Sequence, residues 1–183
     1  PYVVILRPSI VFGAEDQFFN RFASMARLGP ILPVVGADTR FQPVYVDDVA
    51  AAAAQAVLGQ VAQGIYELGG PDVATFRELM DEMLNVIHRR RLVANIPFSV
   101  AHLMGVGAGL AQSISFGLMP AAITTDQVRN LRQDNVVTGD HPGFDALGSQ
   151  PAALEAVLPE YLWRYRPSGQ YDAIKDSARN LKS

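Results

Sequence analysis

An α/β fold with parallel strands is predicted by three features of the chain. It opens on a continuous apolar, partly β-branched run, Tyr2-Val3-Val4-Ile5-Leu6, the pattern of a strand buried on both faces. Strand-then-helix patterns then alternate three times, over residues 29–58, 64–88 and 92–111. Glycine and proline turns punctuate those segments. Parallel strands pair through crossovers of about a dozen residues or more, so partners for the first strand are expected upstream of Pro1 or in another copy. The chain therefore reads as the later part of a longer domain, whose missing part held much of the chemistry.

Taken in order, residues 9–13 carry the backbone out of the sheet, and residues 14–16 lead into a helix. Phe18, Phe19, Phe22, Met25, Ala26 and Leu28 recur at helical spacing and predict its apolar stripe, which Gly29 and Pro30 end. Residues 31–36 read as a short extended segment that Pro33 confines to a sheet edge. Residues 40–46 form the next strand candidate. Asp47 is placed to cap the helix of residues 49–58, with Asp48 favourable against the dipole of its first turn. Residues 64–70 give another strand, and Thr75 with Glu78 makes a capping box for a helix with Phe76, Leu79, Met80, Met83, Leu84 and Ile87 inward. A last strand covers residues 92–96, with Pro97 suited to the first turn of the helix after it. Beyond Gly117, Thr125 is expected to cap a helix over residues 126–132. A Gly/Pro-rich loop runs through Gly148, a small helix covers residues 151–157, and Tyr161, Trp163 and Tyr165 form a closing aromatic cluster. Residues 1–165 form the packed portion; residues 166–183 are a polar tail open to disorder.

Composition narrows the function. The chain has 183 residues, 49% of them hydrophobic, and a net charge of -3. Such a balance gives no reason to expect nucleic acid. Absence of cysteine removes disulfides and thiolate chemistry. His88, His102 and His141 show no metal-ligand spacing, so no metal is expected. Arg89, Arg90 and Arg91 form the only concentrated positive charge and read as the end of a helix. Residues 92–125 carry no Asp, Glu, Lys or Arg, yet Pro97, Pro120 and several glycines interrupt them. A buried helix and loop is the simpler reading than a membrane span, with contact at a membrane surface between the two.

Two short matches carry little. Gly105, Gly107 and Gly109 lack the G-x-G-x-x-G spacing and the strand-turn-helix setting that aims free N–H groups at a phosphate. Tyr171 and Lys175 fit Tyr-x-x-x-Lys, a pairing that lowers a phenol pKa, but lie in the polar tail where nothing desolvates them.

The order RPSIVFG, Phe-rich helix, FQPVYVDDVA, GIYELGGPDVATFREL resembles the later half of an extended or atypical short-chain dehydrogenase/reductase, of the NAD-dependent epimerase/dehydratase superfamily. TTDQVRNLRQDNVV and FDALGSQPAALEAVLPEYLWRY narrow the resemblance to the group related to the 39 kDa subunit of NADH:ubiquinone oxidoreductase. The resemblance implies the C-terminal part of a Rossmann-like NAD(P)-binding fold with its smaller substrate- or partner-binding region, and the N-terminal Rossmann half missing. It implies NAD(P) as cofactor of the intact protein, bordered at nicotinamide and ribose by Arg7, Pro8, Ser9, Ile10, Val11 and Phe12. Catalytic residues stay unassigned, because the family's Tyr-x-x-x-Lys precedes the strand matched by residues 1–6. Sugar-nucleotide epimerases of the superfamily carry an arginine toward the substrate diphosphate where this chain has Phe41. Arg40, one residue early, points to the other face, which weakens a nucleotide-sugar substrate. Three readings follow: a fragment supplying the substrate- or partner-facing half and part of the nicotinamide site, inactive alone; part of an active epimerase, dehydratase or reductase; or an accessory subunit docking on a membrane respiratory complex. The implied partners are a dinucleotide, a small-molecule substrate or respiratory subunits, with peripheral membrane contact. The implied location is the cytoplasm or the periphery of the inner, respiratory membrane.

Overall fold

The computed structural model describes residues 2–100, 130–167 and 169. Five expectations lie outside them: the Thr125 cap, the glycines at 105–109, the Tyr171 and Lys175 pair, most of the uncharged stretch and most of the tail.

The chain forms β1 (Val4–Pro8), β2 (Val11–Phe12), α1 (Phe19–Leu28), β3 (Ile31–Val35), β4 (Arg40–Phe41), β5 (Val44–Tyr45), α2 (Val46–Val57), β6 (Gly64–Leu68), β7 (Ala74–Thr75), α3 (Phe76–Val86), β8 (Leu92–Ile96) and α4 (Leu154–Leu162). Short 3-10 turns cover Phe144–Leu147 and Trp163–Tyr165. β1 pairs with β6, β2 with β5 and β3 with β8, all parallel; β4 and β7 pair antiparallel. The α/β class and the parallel pairing follow the alternation of strand and helix patterns.

β1 departs from the expected burial. Its partner is β6, downstream in the same chain, and one of its faces is open: Val3 is 51% and Ile5 45% exposed. Period-2 alternation sends Val4 and Leu6 to the other face, where they pack with Tyr66, Leu68, Val44 and Ala52. The apolar run is continuous, yet the described residues cover only one side of it.

The predicted strand over residues 40–46 is divided. Pro43 has no N–H for a ladder, and the chain changes partner there, from β7 on β4 to β2 on β5. α2 then starts at Val46, earlier than expected, with Tyr45 at the N-cap. Asp47 therefore sits inside the first turn rather than capping it, and helps hold the Tyr45 hydroxyl protonated. Asp48 accepts a hydrogen bond from the Ala152 N–H at 2.8 Å and ties α2 to the approach of α4.

α3 follows its sequence pattern closely. The Thr75 hydroxyl accepts from Glu78 N–H at 3.2 Å while the Glu78 carboxylate accepts from Thr75 N–H at 2.7 Å, completing the capping box. Hydrogen bonds from Thr75 hold the Glu78 carboxyl below its ordinary range. Phe76, Leu79, Met80, Met83, Leu84 and Ile87 are all buried. They meet Phe19, Ala23 and Ala26 of α1 and Leu158 and Leu162 of α4 in the main core. The aromatic stripe of α1 converges there: Phe18, Phe22 and Phe41 ring Phe76 at centroid distances of 5.3, 5.3 and 5.7 Å.

The last helix runs later than expected, Leu154–Leu162, and contains Pro159. The aromatic residues at its end separate instead of clustering. Tyr161 is buried and donates from its hydroxyl to Asp16 at 2.6 Å, Tyr165 donates to Asn20 at 3.0 Å, and Trp163 faces outward. Burial, reinforced by the Asp16 carboxylate, holds the Tyr161 hydroxyl protonated far above its ordinary range. Of the arginines after α3, Arg91 meets a carbonyl of α1 rather than of α3, its Nε donating to Ala26 O at 2.7 Å, while Arg89 Nε donates to Tyr165 O at 2.9 Å.

Candidate functional site

The six residues singled out at the exit of β1 divide by location. Arg7 and Pro8 are exposed, Ile10 and Val11 half-buried, Ser9 and Phe12 buried. Ser9 is fixed by its N–H donating to Leu68 O at 2.9 Å and by its hydroxyl donating to Asn135 O at 2.7 Å. Ile10 O accepts from Val44 N–H at 3.0 Å, and Phe12 packs edge-on to Phe19 and tilted on Tyr45. The turn is thus held by fold contacts, and what it presents outward is Arg7 and Pro8, at the carboxyl ends of the parallel pair β1–β6.

Beside it lies a cleft of about 410 Å³, lined by Gln42, Glu67, Gly69, Gly70, Phe144 and Asp145 among others. Glu67, the register partner of Arg7, opens onto it. Its carboxylate accepts from Thr138 N–H at 2.8 Å, from the Thr138 hydroxyl at 3.0 Å and from Gly139 N–H at 3.1 Å. Burial pushes the Glu67 carboxyl up, but those hydrogen bonds and His141 outweigh it and hold it below the ordinary range. A carboxylate with a depressed pKa stabilises the fold above its unfolded pKa and loses that contribution as pH falls through the folded one. Glu67→Gln is therefore expected to flatten the acid limb of a urea-midpoint profile between about pH 6 and pH 3, where the parent chain loses stability on acidification.

Gln42 is a residue that sequence reasoning missed. Its amide donates to Gly70 O at 2.8 Å and its carbonyl accepts from Val137 N–H at 3.1 Å, so it joins β4, the exit of β6 and the residues beyond 134 at the cleft wall. A lone carboxamide in the apolar run FQPVYV was the available signal.

Phe41 occupies the position where the resemblance expects an arginine. It is 5% exposed and packed on Phe18 and Phe76. Arg40 is exposed and on the opposite side of the strand, its N–H donating to Asp134 at 2.8 Å. That position is thus part of the aromatic core. Among the described residues no cluster of three or more metal-ligating side chains occurs, and no helix is long and apolar enough to cross a membrane.

No family model matches the chain. Its curated relatives include "NADH dehydrogenase (ubiquinone) 1 alpha subcomplex subunit 9, mitochondrial" of Arabidopsis thaliana, 34% identical over 92% of this chain and 43% of the relative. The protein of that name in Mus musculus is 33% identical over 91% of this chain and 43% of the relative. The chain thus spans less than half the length of the relatives it matches. Among solved structures, the NAD complex of UDP-glucose 4-epimerase from Thermus thermophilus aligns with a TM-score of 0.59 at 16% identity, over 91% of this chain and 47% of that one. That likeness speaks for the fold. The chain is a homologue of the mitochondrial NADH dehydrogenase alpha subcomplex subunit 9 proteins, over less than half their length, and shares its α/β fold with UDP-glucose 4-epimerase.

Proposed function

We propose that the chain is the cofactor-closing and partner-facing half of an NAD(P)-binding protein of the atypical short-chain dehydrogenase/reductase type. The observation that carries this reading is β1. Its open face, Val3 and Ile5, runs into exposed Arg7 and Pro8 at the carboxyl end of parallel strands, the end at which open α/β sheets receive ligands. An apolar strand face left in water invites a cover, and further strands and helices of a longer parent supply one. The aligned epimerase was solved with NAD, which supports the same cofactor class here. On this reading Arg7 brings a cation to the dinucleotide, Pro8, Ile10 and Val11 wall the nicotinamide and ribose, and Ser9 and Phe12 hold the turn. The cofactor would supply hydride chemistry. The phosphate cradle belongs to the rest of the parent.

Arg7→Ala in the full-length protein is expected to weaken NADPH binding about tenfold or more, the loss of one hydrogen bond from a charged donor, with the unfolding midpoint unchanged. An unaltered dissociation constant would put the dinucleotide elsewhere.

An accessory role in a respiratory assembly is favoured over sugar-nucleotide turnover by the buried Phe41 and by the relatives' names. On this reading the protein sits at the periphery of a respiratory membrane, with the part of residues 92–125 that follows β8 as a contact surface. Membrane fractionation of the full-length protein with and without that stretch tests it: retention lost on deletion supports docking, and retention unchanged removes the stretch from the contact.

A further inference from the structure

Three large aliphatic side chains stand in solvent at the amino-terminal end of the β3–β8 pair: Leu28 is 89%, Leu92 66% and Ile31 54% exposed. Two are neighbours across the strand pair, and the third precedes them in the chain. Ile31 and Leu92 are register partners, so both leave the face opposite buried Leu32 and Val93, and Leu92 N–H donates to Pro30 O at 3.0 Å. Leu28 ends α1 just before that turn.

Arginines flank this triad. Arg91 reaches the last turn of α1 through Ala26 O, which brings it beside Arg27. Arg89 donates to Tyr165 O at 2.9 Å, and burial, then the charges of Arg91 and Arg27, hold it below the ordinary arginine range. Among the described residues, Arg89 and Arg91 hydrogen-bond to backbone carbonyls and not to carboxylates. Arg27 and Arg90 are exposed. In a chain of net charge -3, this concentrates cations beside exposed leucines.

We propose that this end of the molecule docks on a bilayer rich in anionic lipid. Leu28, Ile31 and Leu92 enter the boundary between headgroups and acyl chains while the guanidiniums engage lipid phosphates. Arginine stems lie along apolar surface and keep their charged heads at the phosphates. The exposed apolar members are aliphatic with no aromatic among them, and Leu is under-represented among protein hot spots, so the apolar half of the patch fits lipid better than an acidic protein. The proposal takes its setting from the membrane-peripheral reading above, while its geometry stands apart from the dinucleotide site.

The test is co-sedimentation of the full-length protein with phosphatidylcholine vesicles, with or without phosphatidylglycerol, and NADPH affinity measured on the same samples. Binding is expected to require phosphatidylglycerol. Arg27→Gln with Arg90→Gln should weaken it about 25-fold, roughly fivefold per arginine. Leu28→Ser with Leu92→Ser should weaken it also, both pairs leaving the unfolding midpoint and NADPH binding unchanged. Equal binding to both vesicles, or full binding by both double variants, overturns the proposal. Binding to poly-glutamate with none to vesicles overturns it too, and assigns the patch to an acidic protein. Vesicle binding that persists while NADPH binding fails supports this docking and removes the cofactor reading alone.

Discussion

Phe76→Ala is expected to lower the unfolding free energy by about 3–5 kcal/mol, a large part of the roughly 5–15 kcal/mol of a typical domain. Phe76 is 2% exposed and is the first residue of α3. Its ring meets Phe18 and Phe22 from the α1 side and Phe41 from β4, so truncation opens a cavity that two separate elements line. Such a site collapses poorly, because each neighbour is held by its own backbone; Phe76 N–H itself donates to Thr39 O at 2.8 Å. Thermal unfolding should shift down by about 6–20 °C for a chain of this size. Phe76→Leu, which keeps most of the volume, should lose much less. The same packing explains why Phe41→Arg would not restore a diphosphate contact: it would bury an unpaired cation among rings, at a comparable or greater loss of stability.

Gly70→Ala is expected to destabilise by about 3 kcal/mol, at the upper end of overpacking. A Cβ on Gly70 would lie 1.9 Å from Pro43 O and 3.1 Å from Pro43 C, both backbone atoms with no rotamer to yield. Relief requires the exit of β6 to move away from the β4–β5 junction. That motion pulls on the Gln42 amide, which donates to Gly70 O, and deforms the cleft wall. Denaturation of Gly29→Ala is the control. Nothing lies within 4 Å of a Cβ at Gly29, whose φ is -154°, so its change should stay within about 0.5 kcal/mol.

Much of the fold was legible because it is local. The capping box at Thr75 and Glu78 and the inward face of α3 are periodic signals within one helix, and the structure keeps every one of them. The parallel α/β class follows from alternating patterns in the same way. What the sequence concealed depends on contacts far apart in the chain. Tyr161 reaches Asp16 across 145 positions and Gln42 reaches Val137 across 95, and no pattern encodes such a pairing. Two-residue strands such as β4 and β5 are too short for periodicity, so a proline break inside an apolar run passed as one strand. At the candidate site, the segment Arg7 to Phe12 was visible through resemblance, whereas its division into outward Arg7 and Pro8 and anchoring Ser9 and Phe12 needed coordinates. Phe41 was visible as a departure from the arginine pattern; its burial in an aromatic cluster gives that departure its physical meaning.

The central claim is that this chain borders a dinucleotide site without holding one alone. The most direct measurement is a fluorescence titration with NADPH of the 183-residue chain alongside the full-length protein. The account predicts saturable binding by the full-length protein and weak or no binding by the chain alone. Tight, saturable binding by the chain alone, matching the full-length protein, would contradict it.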